Sequence, residues 1–337
     1  MLVRYNYSLK KYNTFGIDVR TKKFISSESV EKIKELLAGD ELANENCLVL
    51  GGGSNVLFTK DFNGTIIHPL FNKLSIKETG SDTTIVSAEA GLEWDSLVKW
   101  TVENGLGGLE NLSYIPGNVG AAPIQNIGAY GVEISNLITG IYAFSLESGE
   151  QRFFSNDECM FGYRDSIFKN ELRDKYLISC VEFRLRRSPE PFNLSYSNLE
   201  QRVMDRGRIT LKSVRETVIE IRREKLPDPS VIGNAGSFFK NPVVDFNKFS
   251  ELKKEYPDIP FWETDENRYK IPAAWLIEKS GWKGRKAGRA GVTEKHALIL
   301  VNLGNATGKD ILELSNMIIQ SVKDMFGITL TEEVTVI

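Results

Sequence analysis

Asn111–Val132 reads NLSYIPGNVGAAPIQNIGAYGV. Not one of these residues is charged, in a chain that is 26% charged. A membrane-spanning helix is excluded, because a span is continuously apolar and this run holds two prolines, four glycines and three asparagines. The same residues exclude a core helix. What remains is irregular backbone packed closely against something, with N–H and C=O groups left for a partner. That is how a protein cradles a large neutral or anionic cofactor.

Upstream lies a second glycine motif. Cys47–Leu50 reads as a strand and leads directly into Gly51-Gly52-Gly53-Ser54-Asn55. The phosphate loop of nucleotide hydrolases does not fit, since no Gly-Lys-Ser/Thr follows. The dinucleotide fingerprint fails twice: its third glycine would fall at Val56, and Val56-Leu57-Phe58 are strand formers, not a helix start. Two readings stay open, an anion-binding nest of consecutive N–H groups and a plain hairpin turn.

The composition of the 337-residue chain is that of a globular protein, 41% hydrophobic and 10% aromatic, long enough for two or three domains. Its net charge of −3 offers no basic field for nucleic acid or an anionic membrane. Three cysteines, Cys47, Cys159 and Cys180, form neither a disulfide framework nor a zinc knuckle, and are expected as reduced thiols. With only two histidines, His68 and His296, no multi-histidine metal site is expected. The first residues, MLVRYNYSLKKYNTFG, lack an apolar core of signal-peptide length, which points to a cytoplasmic protein.

Periodicity predicts a helix over 27–38, capped by Ser26 or Ser27 and stopped at Gly39, and another with Trp94, Leu97, Val98, Thr101 and Val102 on one face. Strands are predicted at Thr65–His68, Leu74–Ile76, Thr84–Ala88, Ile141–Leu146, Leu177–Leu185 and Ala297–Val301. Arg186-Arg187-Ser188-Pro189-Glu190-Pro191 has linker character. Beyond it come a helix over 213–225 with Ser213 and Glu216 as a capping box, a helix bracketed by Pro272 and Gly281, and a long helix from Thr307 and Asp310 to Gly327. Val334–Ile337 closes as a strand. The pattern is α+β with mixed or antiparallel pairing.

Several motifs then occur in order along nearly the whole chain. They are Asn13-Thr14-Phe15; Leu50-Gly-Gly-Gly-Ser-Asn-Val-Leu57; the run Ile115–Gly131; Phe161-Gly-Tyr-Arg-Asp-Ser-Ile-Phe168; Lys225-Leu-Pro-Asp-Pro229; Gly233-Asn-Ala-Gly-Ser-Phe-Phe-Lys-Asn-Pro242; Ala273–Glu278; and Glu332-Glu333-Val334. Together they closely resemble the UDP-N-acetylenolpyruvoylglucosamine reductase family. The resemblance implies an α+β protein with a vanillyl-alcohol-oxidase-type FAD-binding fold of two α+β subdomains, over 1–65 and 66–188. An insertion over 189–210 and a C-terminal α+β substrate-binding domain over 211–337 follow. Tyr196 within the insertion matches the longer form of the family, in which a tyrosine reaches over the substrate.

The implied reaction reduces an enolpyruvyl ether to a lactyl ether. NADPH reduces noncovalent FAD, NADP⁺ leaves, and the UDP-sugar enters the same pocket of a monomeric enzyme. Hydride reaches the terminal enol carbon, and the enolate formed beside the carboxylate is then protonated. Ser237 matches the proton donor, with Arg164 and Glu333 as the pair that holds and polarises the carboxylate. FAD is expected on Asn13, Thr14, Gly51, Gly52, Gly53, Ser54, Asn55, Pro116, Gly117, Gly120, Ala121, Gln125, Asn126, Gly128, Ala129, Tyr130 and Gly131. Tyr163, Tyr196, Lys225, Asn241 and His296 are expected on the substrate. No metal is expected.

Two positions depart from the family pattern. Thr335 stands where some members of the longer form carry arginine, and His296 where glutamine is common near the uracil. Rival functions predict other residues. An oxidase with FAD tethered to histidine would use a histidine in the glycine motifs, whereas His68 lies outside them. A flavin electron relay would not need Ser237, Lys225 and Glu333, and a UDP-sugar-binding protein without catalysis would be expected to have lost Ser237 or Arg164.

Overall fold

The two short strands that flank the glycine triplet do not pair with each other. Cys47–Val49 runs parallel to Phe62–Pro69, with Cys47 opposite Thr65 and Val49 opposite Ile67. Val56–Leu57 runs parallel to Thr335–Val336. The glycines therefore carry the chain from one sheet to another, and the hairpin reading is excluded. The fold is α+β throughout. This computed structural model describes every residue except Ala43, Asn44, Pro189, Ser197, Asp265 and Glu266. Pro189 of the linker motif and Ser197 of the insertion thus lie outside the described residues.

The chain divides into two compact units: 1–7, 20–53 and 63–222 form one, and 8–19, 54–62 and 223–337 the other. The sequence reading divides the chain at 65, 188 and 210. Contacts instead group two early segments, 8–19 and 54–62, with the C-terminal residues.

In the first unit a four-stranded sheet orders Leu2–Ser8, Arg20–Ser27, Phe62–Pro69 and Cys47–Val49. Helix Val30–Ala38 buries Ile33, Leu36 and Leu37. Its cap is Ser29, whose hydroxyl accepts from the Lys32 N–H at 3.2 Å, so the start lies later than the expected Ser26 or Ser27. A five-stranded antiparallel sheet orders Gln151–Ser155, Ile138–Ser145, Tyr176–Arg186, Thr83–Glu89 and Leu74–Thr79. Helix Trp94–Glu103 turns Trp94, Leu97, Val98 and Thr101 into the core that this sheet shares with Val119, Ile134, Phe154 and Phe183. The neutral run follows as a chain of short 3-10 turns and one small hairpin, Gly128–Ala129 with Val132–Glu133.

Helix Leu211–Lys225 begins in the first unit and ends in the second. Its start is fixed by Thr210 and Ser213, not by Ser213 and Glu216. The Thr210 N–H donates to the Ser213 hydroxyl at 2.9 Å, and the Ser213 N–H donates to the Thr210 hydroxyl at 3.0 Å. Glu216 instead lies 3.6 Å from Arg206.

In the second unit, backbone pairing forms a continuous run. Glu332–Glu333 bonds to Phe238–Phe239, and Ser237–Phe238 bonds on its other side to Leu298–Ile299. Leu300–Asn302 pairs antiparallel with Ala290–Val292, and that strand with Lys286–Ala287. Helix Gly308–Phe326 packs on these strands. Its capping box is as predicted: Thr307 accepts from the Asp310 N–H at 3.2 Å, and Asp310 accepts from the Thr307 N–H at 2.7 Å. A separate three-stranded sheet, Val243–Asp245, Arg268–Lys270 and Trp262–Thr264, carries helix Phe246–Glu255, with Phe249 stacked on Tyr269 at 4.0 Å. Sequence periodicity missed these strands and this helix. Among the described residues no helix is long and apolar enough to cross a membrane, and no cluster of metal-ligating side chains occurs.

Candidate functional site

In the first unit the two glycine motifs meet. A Cβ on Gly52 would stand 3.1 Å from both the Gly117 Cα and the Asn118 Oδ1, and one on Gly51 would stand 3.2 Å from the same oxygen. Contacts this tight favour glycine where the two loops meet. Gly120 is tighter still, since its Cβ would meet that of Ala90 at 2.5 Å. Asn118 was not among the expected site residues, although it stands inside the neutral run. Its amide donates to the Gly91 carbonyl at 2.7 Å and so turns its oxygen toward the Gly51–Gly52 backbone.

Among the described residues, the N–H groups of Gly51, Gly52, Gly117 and Asn118 donate to no protein acceptor. Gly52 is exposed, and the other three are partly so. Four unspent N–H groups on two adjoining neutral loops suit a diphosphate, whose charge such groups can stabilise without a fixed cation. These residues fit FAD. Beneath the loop, His68 donates from Nδ1 to the Leu50 carbonyl at 2.7 Å, and burial holds its pKa below the ordinary histidine value.

Two of the expected FAD contacts spend their amides inside the protein. Asn126, at φ 44°, donates to the Glu133 carboxylate and the Gly162 carbonyl, both at 2.9 Å, and accepts from the Ser135 N–H at 3.0 Å. Asn13 donates to the Leu9 and Ile17 carbonyls and accepts from the Ile17 N–H. Both asparagines hold loops in shape. Asn13 lies with Thr14, Ser54 and Asn55 in the second unit, whereas the remaining expected FAD residues lie in the first.

Arg164, at φ 55°, reaches back over the neutral run. Its guanidinium donates to the Gly128 carbonyl at 2.5 Å and to the Asn126 carbonyl at 3.4 Å, and it lies 5.5 Å from the centre of the Tyr163 ring. Tyr196 of the insertion sets its ring edge-on against Tyr130, centroids 5.5 Å apart. Two residues assigned separately to substrate and cofactor are thereby brought together.

The second unit gathers the rest. Glu333 donates its N–H to the Phe238 carbonyl at 2.7 Å, and its own carbonyl accepts from the Asn55 amide at 3.2 Å. Ser237, Glu333 and Asn55 therefore sit on adjoining segments. Ser237 is partly exposed, and its hydroxyl has no hydrogen-bond partner among the described residues. His296 is half-buried. Its Nδ1 accepts from the Leu298 N–H at 3.3 Å, which leaves the proton on Nε2. Burial, then the charges of Lys225 and Lys283, hold its pKa below the ordinary value. Lys225 is thus placed near His296, at the exposed end of its helix. Asn241 spends its oxygen on the Ala273 N–H at 2.9 Å, fixing the start of helix Ala273–Lys279. The three cysteines are free, and burial pushes the Cys159 thiol up to about 12.

Comparison with known proteins agrees with both halves. A family model described as a FAD binding domain matches residues 22–153, and one described as the C-terminal domain of UDP-N-acetylenolpyruvoylglucosamine reductase matches 228–337. The reductase of that name from Flavobacterium johnsoniae is 46% identical, covering 100% of both chains. The one from Bacteroides fragilis is 44% identical over 98% of this chain and 99% of its own. The crystal structure of the reductase from Thermus caldophilus superposes with a TM-score of 0.68 at 23% identity, covering 99% of this chain and 98% of that one, and so shares the fold. With full-length relatives at this identity and both halves matched in order, the chain belongs to the UDP-N-acetylenolpyruvoylglucosamine reductase family.

Proposed function

We propose that the chain reduces the enolpyruvyl ether of UDP-N-acetylglucosamine-enolpyruvate to UDP-N-acetylmuramate, with NADPH as reductant, in peptidoglycan precursor synthesis. The full-length identity to reductases of that name carries this reading. The unspent hydroxyl of Ser237, carried on a segment whose backbone pairs with Leu298–Ile299 and Glu332–Glu333, supports its chemistry. NADPH and the UDP-sugar occupy one pocket in turn. The protein acts as a cytoplasmic monomer, with an FAD-binding part, the insertion over 189–210 and a C-terminal substrate-binding part.

FAD, when bound, carries a hydride from NADPH to the terminal enol carbon. Backbone N–H groups of Gly51, Gly52, Gly117 and Asn118 would hold its diphosphate, and Gly120 lets that loop pack closely on Ala90. As hydride arrives, negative charge develops on the adjacent carbon and spreads into its carboxylate. Arg164 stabilises that charge, and Glu333 orients the groups around it. Ser237 then gives its proton to the carbon. A serine hydroxyl is a weak acid, but a carbon enolate is a far stronger base, and fixed geometry makes the transfer fast. Lys225 and the Nε2–H of His296 bind the nucleotide portion, and Tyr196, set against Tyr130, is a further substrate contact.

Ser237→Ala tests the assignment. NADPH-driven flavin reduction should persist, whereas reoxidation by the enolpyruvyl substrate should slow by about 10²–10⁴, the usual contribution of a positioned acid. Equal slowing of both half-reactions would remove Ser237 as proton donor.

A further inference from the structure

We propose that Asp95 and Arg215 are positioning residues that set the direction of the cofactor loop by holding Tyr114 in the left-handed region. The proposal rests on the reading of Gly51–Gly52 and Gly117–Asn118 as the FAD cradle.

Tyr114 stands at φ 60°, a conformation that a bulky residue adopts only when its surroundings impose it. Both of its backbone polar groups are gripped. Its N–H donates to Asp95 Oδ1 at 2.5 Å, and its carbonyl accepts from Arg222 Nε at 3.0 Å. Arg215 meets the Asp95 carboxylate in a two-pronged pair, Nη1 to Oδ1 and Nη2 to Oδ2, each 2.7 Å. The pair is largely out of solvent, with side-chain exposures of 11% for Arg215 and 24% for Asp95. Burial alone would raise the Asp95 pKa, but the Arg215 and Tyr114 hydrogen bonds outweigh it and hold the carboxylate below its ordinary range. One helix, Leu211–Lys225, thus supplies both arginines, and the first turn of another, Trp94–Glu103, supplies the acid.

What lies beyond Tyr114 transmits this grip. Ile115 precedes a proline and is restricted to extended backbone, and Pro116 has its φ fixed by its ring. A dipeptide this stiff passes the direction set at Tyr114 on to Gly117 with little slack. Trp94 holds both flanks, its indole N–H donating to the Leu112 carbonyl and its backbone N–H to the Gly117 carbonyl, each at 2.9 Å. Leu112, Tyr114 and Gly117 are therefore fixed at three points, and the Gly117 and Asn118 N–H groups follow.

The test is a variant cycle in the full chain, read by the FAD dissociation constant and the flavin absorption band. Asp95→Ala should weaken FAD binding about tenfold or more and shift the band. Glycine adopts positive φ without penalty, so Tyr114→Gly combined with Asp95→Ala should bring the constant to within about threefold of Tyr114→Gly alone. Should Asp95→Ala fail to fold, Asp95→Leu with Arg215→Met replaces the buried pair by apolar side chains, a change that folded proteins tolerate. It should show the same loss and the same rescue. An unchanged FAD constant overturns the proposal. So does a loss that Tyr114→Gly leaves in full, because Asp95 would then brace the fold and not Tyr114. Gly52→Val separates this from the cradle reading. If Gly52→Val leaves FAD binding intact, the cradle itself is wrong; if it abolishes binding while Asp95→Ala does not, the positioning role alone fails.

Discussion

Lys225 illustrates how much the proposed site depends on a few charges. The cofactor run has none, so the cations that meet an anionic substrate must come from elsewhere in the chain. Lys225→Ala should therefore weaken UDP-sugar binding at least tenfold, measured by titration calorimetry, with flavin content nearly unchanged. Lost flavin would move Lys225 to the cofactor. Residue type was legible in the sequence at Ser237, Arg164 and Glu333 because motifs carry it. Commitment was not. Asn13 and Asn126 read as cofactor contacts, yet their amides close their own loops. Asn118 stands against the glycines. An asparagine in a glycine-rich loop announces a hydrogen bond without naming its partner, since the acceptor can lie dozens of residues away.

Local signals place most of the helices, and one capping box forms as predicted. The Thr307–Asp310 box spans three residues, and both of its bonds form. Thr307→Ala should cost about 1 kcal/mol of stability, seen as a lower midpoint in urea unfolding at unchanged slope. An unchanged midpoint would show that tertiary packing alone fixes the start of helix Gly308–Phe326. At Ser213 the box forms three residues earlier than predicted, because Thr210 and Ser213 offer the same chemistry there. Strand partners were not legible at all. Val56–Leu57 pairs with Thr335–Val336, a union that no short window contains, and that pairing excludes the hairpin at Gly51–Gly53. The short strands Val243–Asp245, Trp262–Thr264 and Arg268–Lys270 were missed because three residues are too few to establish an alternation.

At the scale of the molecule, the division of the chain is discontinuous, and hydrophobic pattern alone could not reveal it. The Asn13-Thr14-Phe15 motif belongs with the C-terminal residues. The Thr14 carbonyl accepts from the Asn234 N–H at 3.0 Å, the Phe15 carbonyl accepts from the Asn302 amide at 2.9 Å, and a Cβ on Gly233 would strike that Phe15 carbonyl at 2.2 Å. The α+β class, by contrast, was evident from the mixture of periods, and the ordered motifs brought the family with it. The central claim is that one protein passes electrons from NADPH to an enolpyruvyl sugar nucleotide through bound flavin. Anaerobic mixing in two stages tests it most directly. NADPH should bleach the yellow protein, and UDP-N-acetylglucosamine-enolpyruvate added after NADP⁺ is removed should restore the oxidised band with one UDP-N-acetylmuramate formed per flavin. A protein that stays colourless with added FAD, or a reduced flavin that the enolpyruvyl substrate leaves reduced, would contradict the account.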